Sequence, residues 1–299
     1  MRRRARPWLL ALIGLSGCSR ATPDVEPTGA PPEPTVTVTT DLVYREGSHH
    51  RKHRLDLYRP AGGSVAPVVV FLHGGYWTSG DRNAPEHGQG LYRSLGEHLA
   101  SRGIVTIIPS YRLAPEVGIG AMVEDVSHAI AWTHHHVLDR GGDPRRVFLM
   151  GHSAGGHLAA LLCGHPAWLT RRGLEPRALR GCVILSGIWD VEDMARSHNQ
   201  RFNDGITRPT FGDDPEAWRR WSPIATLEAP RPMLLILAER DFDYLKPQAQ
   251  AAMEALGAAG GEARLTIALG EDHLDLVRRF GEPGDPVSDW VVDFVRQGG

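Results

Sequence analysis

This chain of 299 residues has only three cysteines and two lysines, so few of its side chains can act as metal-binding thiolates or as catalytic lysines. It contains no Cys-x-x-Cys pair and no His-Glu-x-x-His motif, so we expect neither a bound metal nor a cofactor. Lysine occurs only at Lys52 and Lys246, with His49 and Asp243 three residues earlier. This excludes the Ser-x-x-Lys scheme of penicillin-binding proteins and class A β-lactamases, in which a lysine lies three residues after the nucleophilic serine.

No apolar run near the N-terminus is long enough for a transmembrane helix. Four arginines between residues 2 and 6 precede an apolar run at 8–15, as in a secretory signal. The run ends in Leu-Ser-Gly-Cys at 15–18, which resembles a bacterial lipoprotein lipobox. The resemblance implies that residues 1–17 are removed, that Cys18 carries lipid, and, from Ser19, that the protein is sorted to the outer membrane of a Gram-negative cell envelope. An ordinary cleaved signal with an incidental cysteine is the alternative.

The charge balance limits the partners of the mature chain. Removal of the signal leaves 29 basic against 35 acidic side chains, a net charge of −6. This excess argues against nucleic acid and against electrostatic adhesion to anionic lipid, so membrane attachment would depend on the lipid at Cys18. Residues 18–34 are rich in proline and lack apolar periodicity, and we interpret them as a tether. Nothing in the sequence indicates an oligomeric state.

From residue 35 onward the composition is globular, which predicts one catalytic domain over 35–299. The apolar segments predict an α/β fold with a mostly parallel, eight-stranded sheet flanked by helices, because most of the later strands are apolar throughout. The predicted strands are Thr35 to Val43, Arg54 to Tyr58, Val68 to Leu72, Val105 to Pro109, Val147 to Met150, Cys182 to Leu185, Met233 to Ala238 and Leu265 to Leu269. The predicted helices are Leu91 to Ser101, Gly120 to Leu138, Ala154 to Leu162, Pro247 to Leu256 and Asp285 to Arg296.

A Gly-x-Ser-x-Gly motif at 151–155 lies between a predicted strand and a predicted helix. A serine hydroxyl is a poor nucleophile at neutral pH, and a tight turn of this kind raises it from the backbone toward a base. The context predicts Ser153 as the nucleophile of a hydrolase.

The base and its orienting acid are expected after later strands. His273 follows the last predicted strand and Asp241 the one before it, in the order Ser, Asp, His that α/β-hydrolases have. Glu239 and Asp243 remain alternative acids, with Asp243 the stronger. His152 and His157 flank the serine but are expected to pack rather than act as the base.

Two glycines after the third predicted strand, Gly74 and Gly75, can bring backbone N–H groups close to an oxyanion, and the N–H of Ala154 would add another. For the substrate pocket we expect four aromatic side chains. These are Tyr76, Trp77, Trp189 and Trp221, the last two in a long segment at 188–230 that we interpret as a small lid between the sixth and seventh strands.

Two other residue groups are expected to be structural. Cys163 and Cys182 are predicted as buried free thiols, since one falls on a helix and the other in a strand, although an exported compartment permits a disulfide. The three histidines at 134–136 end a helix and are interpreted as a polar helix terminus rather than a metal site.

The motifs at 73–77, 111–116 and 151–157 together resemble the hormone-sensitive-lipase-like branch of α/β-hydrolase carboxylesterases. Within that branch the aromatic pair at 76–77 and the segment 142–147 are similar to kynurenine formamidases, feruloyl-esterase-like enzymes and prenylcysteine methylesterases. After Glu116 the chain departs from the larger branch, so that wall of the pocket can differ.

The resemblance implies a cofactor-free serine esterase acting on small-molecule esters. An arylformamidase or other amidase with the same triad is the first alternative. A catalytically silent envelope binding protein is the second.

Overall fold

The computed structural model of the protein describes residues 36–62, 64–83 and 90–299. The predicted signal peptide, the predicted lipidation site at Cys18 and the predicted tether at 18–34 lie outside the described residues.

Eight strands form one sheet, and each overlaps a strand predicted from the sequence. Their bounds are Thr37–Val43 (β1), Arg54–Arg59 (β2), Ala66–Leu72 (β3), Val105–Pro109 (β4), Gly142–His152 (β5), Gly181–Leu185 (β6), Met233–Arg240 (β7) and Ala263–Asp272 (β8). Their order in the sheet is β1-β2-β4-β3-β5-β6-β7-β8. The first two strands pair antiparallel, β2 also pairs antiparallel with β4, and every later pair is parallel.

Helices connect the parallel strands and cover both faces of the sheet. They are Leu91–Ser101 (α1), Ile119–His136 (α2), Ala154–Gly164 (α3), Ala167–Thr170 (α4), Val191–Arg196 (α5), Gln200–Phe202 (α6), Arg208–Phe211 (α7), Pro215–Arg220 (α8), Leu245–Ala258 (α9), Asp275–Arg278 (α10) and Pro286–Gln297 (α11). Within the described residues, no helix has the length and apolarity that crossing a membrane requires.

The core has two layers, one on each face of the sheet. All seven residues of β3 are buried. Val68 and Val70 pack into one apolar cluster, while Val69 and Phe71 pack into the other. Successive side chains of a strand point to opposite faces, so a strand in the middle of a covered sheet must be apolar at every position.

The last strand differs from this pattern. β8 lies at the edge of the sheet, and Ile267 and Leu269 on it are 42% and 75% exposed. The apolar residues of β8 therefore belong to an edge strand. The sequence pattern alone does not distinguish such a strand from a central one.

The expectation of free thiols was wrong, because Cys163 and Cys182 form a disulfide. Cys163 lies near the end of α3 and Cys182 near the start of β6, with the two Cα atoms 6.5 Å apart. A helix packed on the neighbouring strand can meet the geometry that a disulfide requires.

Candidate active site

Ser153 lies in the turn between β5 and α3, at the carboxyl edge of the sheet. Its backbone has φ 55° and ψ −118°, a sparsely populated conformation for a residue with a side chain. The flanking glycines permit the turn: a Cβ on Gly151 would lie 2.1 Å from the carbonyl oxygen of Gly155, and one on Gly155 would lie 2.2 Å from that of Leu72. The Ser153 N–H donates to the carbonyl of Leu185 at 2.9 Å, which ties the turn to β6.

Asp241 and His273 form a hydrogen-bonded pair beside this turn. Nδ1 of His273 lies 2.7 Å from Oδ1 of Asp241, and the Asp241 side chain is fully buried. Burial opposes its ionisation, but the hydrogen bond and charge interaction with His273, followed by a bond from Ser186, lower the pKa of Asp241 below its usual value. A carboxylate that accepts from Nδ1 leaves Nε2 of the ring able to accept a proton.

The two alternative acids lie elsewhere. Glu239 accepts a hydrogen bond from the Gly270 N–H at 2.8 Å. Asp243 is exposed and faces a different cavity, described below. The structure therefore brings Asp241, and neither alternative, onto the His273 ring.

Ser186 bonds to Asp241 and was not singled out in the sequence. Its hydroxyl bonds to Oδ2 of Asp241, and Oδ1 of the same carboxylate accepts the Phe242 N–H at 3.0 Å. Ser186 follows β6 directly and has φ 46°. A polar residue immediately after a parallel strand was the signal that could have identified it.

The loop after β3 carries the predicted oxyanion donors next to the serine. A Cβ on Gly74 would lie 3.3 Å from Cβ of Ser153, so the Gly74 backbone approaches the predicted nucleophile closely. Its N–H donates to the Tyr92 hydroxyl at 3.3 Å. Gly75, Tyr76 and Trp77 all have positive φ. Strain of this kind concentrates at functional sites.

Ser153, His273 and the glycines of the loop after β3 line one cavity of about 410 Å³. It is lined by Gly74, Gly75, Tyr76, Ser79, Tyr92, His152, Ser153, Arg240, Phe242, Asp272, His273 and Leu274. Tyr92 and Phe242 are pocket residues that sequence reasoning missed. They lie on α1 and in the loop after β7, and no motif marks either of them.

A family model described as alpha/beta hydrolase fold matches residues 69–275. The chain belongs to the α/β-hydrolase family.

Curated relatives of this hydrolase include named esterases. It is 30% identical, over 80% of its length, to a probable isoprenylcysteine alpha-carbonyl methylesterase of Oryza sativa subsp. japonica. It is 34% identical, over 68% of its length, to the carboxylic ester hydrolase LipN of Mycobacterium tuberculosis. The chain covers 57% and 55% of these two proteins, little more than half of their length.

Solved structures share the fold of the hydrolase at lower identity. Esterase B from Lactobacillus rhamnosis superposes with a TM-score of 0.72 at 22% identity, over 88% of this chain and 84% of that one. A truncated carbohydrate esterase from gut microbiota gives 0.74 at 18% identity, over 90% and 98%. At these identities the likeness shows the fold alone.

Three of the four predicted pocket aromatics do not line the cavity of the hydrolase. Trp77 is fully buried and packs edge-on against His157 and Phe211, with ring centroids 5.1 and 4.9 Å apart. Trp189 is 1% exposed, and the Trp221 ring stacks on Trp168.

These tryptophans fill space behind the site because large apolar rings pack into the nearest available core. Of the four predicted aromatics, only Tyr76 reaches the cavity. The predicted lid segment borders the cavity through Phe202, whose ring lies 5.6 Å from that of Tyr76, without lining it.

The two histidines that flank Ser153 are buried and neutral. Burial, reinforced by the charge of nearby His273, lowers the pKa of His152 to about 3. Burial lowers the pKa of His157 to about 4. His152 donates from Nε2 to the carbonyl of His273 at 2.8 Å, so it holds the main chain of the predicted base in place.

No group of three or more His, Cys, Asp or Glu side chains within the described ranges has the geometry to hold a metal. The histidine run at 134–136 instead ends α2.

Proposed function

We propose that this hydrolase is a serine carboxylesterase that cleaves small carboxylic esters through an acyl-enzyme. The observation that carries the proposal is that His273, which lies 2.7 Å from Asp241, lines the same cavity as Ser153. The names of the curated relatives support ester hydrolysis as the reaction class.

In the first half-reaction, Oγ of Ser153 attacks the ester carbonyl and Nε2 of His273 takes the hydroxyl proton. Asp241 holds the imidazole by Nδ1 and stabilises the imidazolium that forms. Backbone N–H groups of Gly74, Gly75 and Ala154 would donate to the oxyanion. Such a donor is typically worth about 3 kcal/mol in the transition state. The Gly74 N–H donates to the Tyr92 hydroxyl in this structure, and it would donate to the oxyanion instead during the reaction.

His273 then returns the proton to the alkoxide oxygen as the bond from the carbonyl carbon to that oxygen breaks, and the alcohol leaves. In the second half-reaction a water attacks the acyl group on Ser153 while His273 takes a proton from it. Breakdown of this second intermediate releases the carboxylic acid, and the proton goes back to Ser153.

The direct test is Ser153→Ala with p-nitrophenyl acetate as substrate. We expect turnover to fall by about 10⁴ to 10⁶, because only binding and the oxyanion donors remain. Ser94→Ala, which alters an exposed serine on α1, is the matched control. Hydrolysis by the purified Ser153→Ala variant at the wild-type rate would contradict the proposal.

The two alternatives give different results in the same preparation. An amidase with this triad would show a higher kcat/KM on an aryl formamide than on the matching aryl ester. A silent binding protein would leave Ser153 unlabelled by a fluorophosphonate probe under conditions that label an active serine hydrolase.

We further propose that the enzyme is anchored in the cell envelope through lipid on Cys18. The proposal rests on the lipobox-like pattern at 15–18. In cells fed an alkyne fatty acid, Cys18→Ala should abolish labelling of the protein and release the activity from membranes. Ser19→Asp should keep the label and move the protein from outer to inner membrane. A labelled Cys18→Ala protein would refute the anchor.

A further inference from the structure

Five aromatic side chains form a closed ring of contacts beside the catalytic cavity. Neighbouring centroids are separated by 6.5 Å from Phe242 to Tyr76, 5.6 Å to Phe202, 3.8 Å to His198, 5.2 Å to Tyr244, and 6.0 Å back to Phe242. We call this group the aromatic ring cluster. It combines the loop after β3, the loop after β7 and the inserted segment between β6 and β7.

A second cavity of about 440 Å³ opens on one side of the aromatic ring cluster. Its lining residues are Asp193, Ser197, His198, Phe242, Asp243, Tyr244 and Pro247. Phe242 lines this cavity and the catalytic one alike. Phe242 is therefore the wall that the two cavities share, and an alcohol part that reached the second cavity would pass this ring.

The second cavity is lined by acidic side chains. Its lining contains the carboxylates Asp193 and Asp243 and neither lysine nor arginine. Asp193 accepts a hydrogen bond from the Gln248 amide at 2.8 Å. Within the described part of the chain, neither carboxylate has a cationic side chain within 4.0 Å. The His198 Nδ1 carries a hydrogen, because it contacts the Met194 carbonyl, which can only accept.

Aromatic faces together with unneutralised carboxylates favour a cation over an anion or a neutral group. The ring quadrupole attracts a cation that lies over the ring face, and aromatic groups of this kind recognise quaternary ammonium ligands. A nearby carboxylate adds attraction that salt screens.

Phe242, which both cavities share, contacts the side chain that would protonate the leaving alcohol. The Phe242 ring packs 4.5 Å from that of His273. His273 must protonate the leaving oxygen in the proposed mechanism, so that oxygen lies next to the imidazole that Phe242 contacts.

We propose that the second cavity is an alcohol subsite for an ammonium group, and that the preferred substrates are esters of cationic alcohols. This inference rests on the proposed esterase function. It names Tyr244 and Asp243 as specificity residues that contact the alcohol part away from the reacting bond.

The test uses pairs of acetate esters that have the same shape and differ only in charge. One member carries a trimethylammonium group and the other a tert-butyl group, over a series of spacer lengths, with phenyl acetate as a neutral reference. We expect kcat/KM for the cationic member to exceed that of its partner by about fivefold or more at the best spacer length. The preference should shrink as ionic strength rises.

Substitutions then locate the effect. Tyr244→Leu and Asp243→Asn should each lower the ratio of cationic to neutral kcat/KM by about three- to fivefold, with the neutral partner as internal reference. Asp139→Asn removes an exposed carboxylate near the start of β5, at the opposite edge of the sheet, and should leave the ratio unchanged.

Direct binding separates failure of this inference from failure of the esterase assignment. Choline, titrated calorimetrically into Ser153→Ala protein, should bind more weakly after Tyr244→Leu. Equal rates for both members of every pair, with phenyl acetate still hydrolysed, would overturn the subsite and leave the esterase intact. A preference for acetylated sugars that Tyr244→Leu removes would also overturn it, in favour of a neutral polyol. If no ester is hydrolysed, the choline titration alone decides the subsite, and absence of binding overturns it.

Discussion

The two walls of the catalytic cavity are built in different ways. One wall is formed by residues that directly follow parallel strands: Ser153 and His273, after β5 and β8, line the cavity, and Asp241 and Ser186, after β7 and β6, lie behind them. The other wall consists of aromatic side chains from loops and a helix, with Tyr76, Tyr92 and Phe242 facing the cavity. The first wall has short hydrogen bonds, and the second has ring packing at 4.5 Å or more.

The two walls differ in what determines their residues: chain order for the first and packing for the second. The carboxyl ends of adjacent parallel strands meet at one edge of a sheet, so chain order already brings the polar residues together. Aromatic rings pack wherever apolar volume is available, and that volume exists only after the helices and loops have assembled. Substitutions in the strand-end wall should therefore affect catalysis, whereas those in the aromatic wall should divide between stability and specificity.

The largest effect is expected for Asp241→Asn. The amide cannot hold His273 in the tautomer that leaves Nε2 as a base, so kcat should fall by about 10⁴ with the fold intact. Steady-state kinetics on phenyl acetate measure it, with Glu239→Gln as the control for loss of a nearby carboxylate. A loss below tenfold would mean that the orienting acid is another residue.

Behind the aromatic wall, Trp77→Ala should act on stability. Removing a fully buried indole from between His157 and Phe211 should lower the free energy of unfolding by about 3–5 kcal/mol. Tyr76→Ala, in the neighbouring position, should instead change KM for esters and cost little stability. Denaturant unfolding and kinetics on both variants check the contrast, and it fails if Trp77→Ala unfolds like the wild type.

Ser186→Ala tests whether the strand-end wall includes a residue that acts only through another. Loss of its hydrogen bond to the Asp241 carboxylate should lower kcat by about 10- to 100-fold and leave KM near the wild-type value. Ser127→Ala, a buried serine within α2, is the matched control. Equal activity of the two variants would remove Ser186 from the site.

The smallest effect concerns acid stability. Burial lowers the pKa of His157 to about 4 in the folded protein, whereas a histidine in the unfolded chain has a pKa near 6.5. Between these values the unfolded chain holds the extra proton, so stability falls as the pH is lowered, by about 1.4 kcal/mol per pH unit for each such group. His157→Gln should reduce this slope by about one proton. Unfolding free energies from pH 6.5 to 4.5 measure it, and an unchanged slope would contradict buried neutral His157.

Patterning alone located much of the fold. All eight strands and the five longer helices were predicted within a few residues, because continuous apolar runs between turns identify buried strands. The edge position of β8 was not predictable, since Ile267 and Leu269 are as apolar as core residues. The Cys163–Cys182 disulfide was also missed, because helix and strand assignments do not reveal which helix packs on which strand.

Chain order and strand ends predicted Ser153, Asp241 and His273 as the triad, and the structure places Asp241, rather than the two alternative acids, on the His273 ring. The motif also has glycine at 151 and 155, and in the structure any Cβ at these two positions would overlap backbone atoms. Only the tertiary structure decided that Trp77 faces the core, that Ser186 bonds to Asp241, and that Phe242 meets four other rings in the aromatic ring cluster. These are contacts between elements distant in the chain, and their geometry depends on how the whole interior is filled.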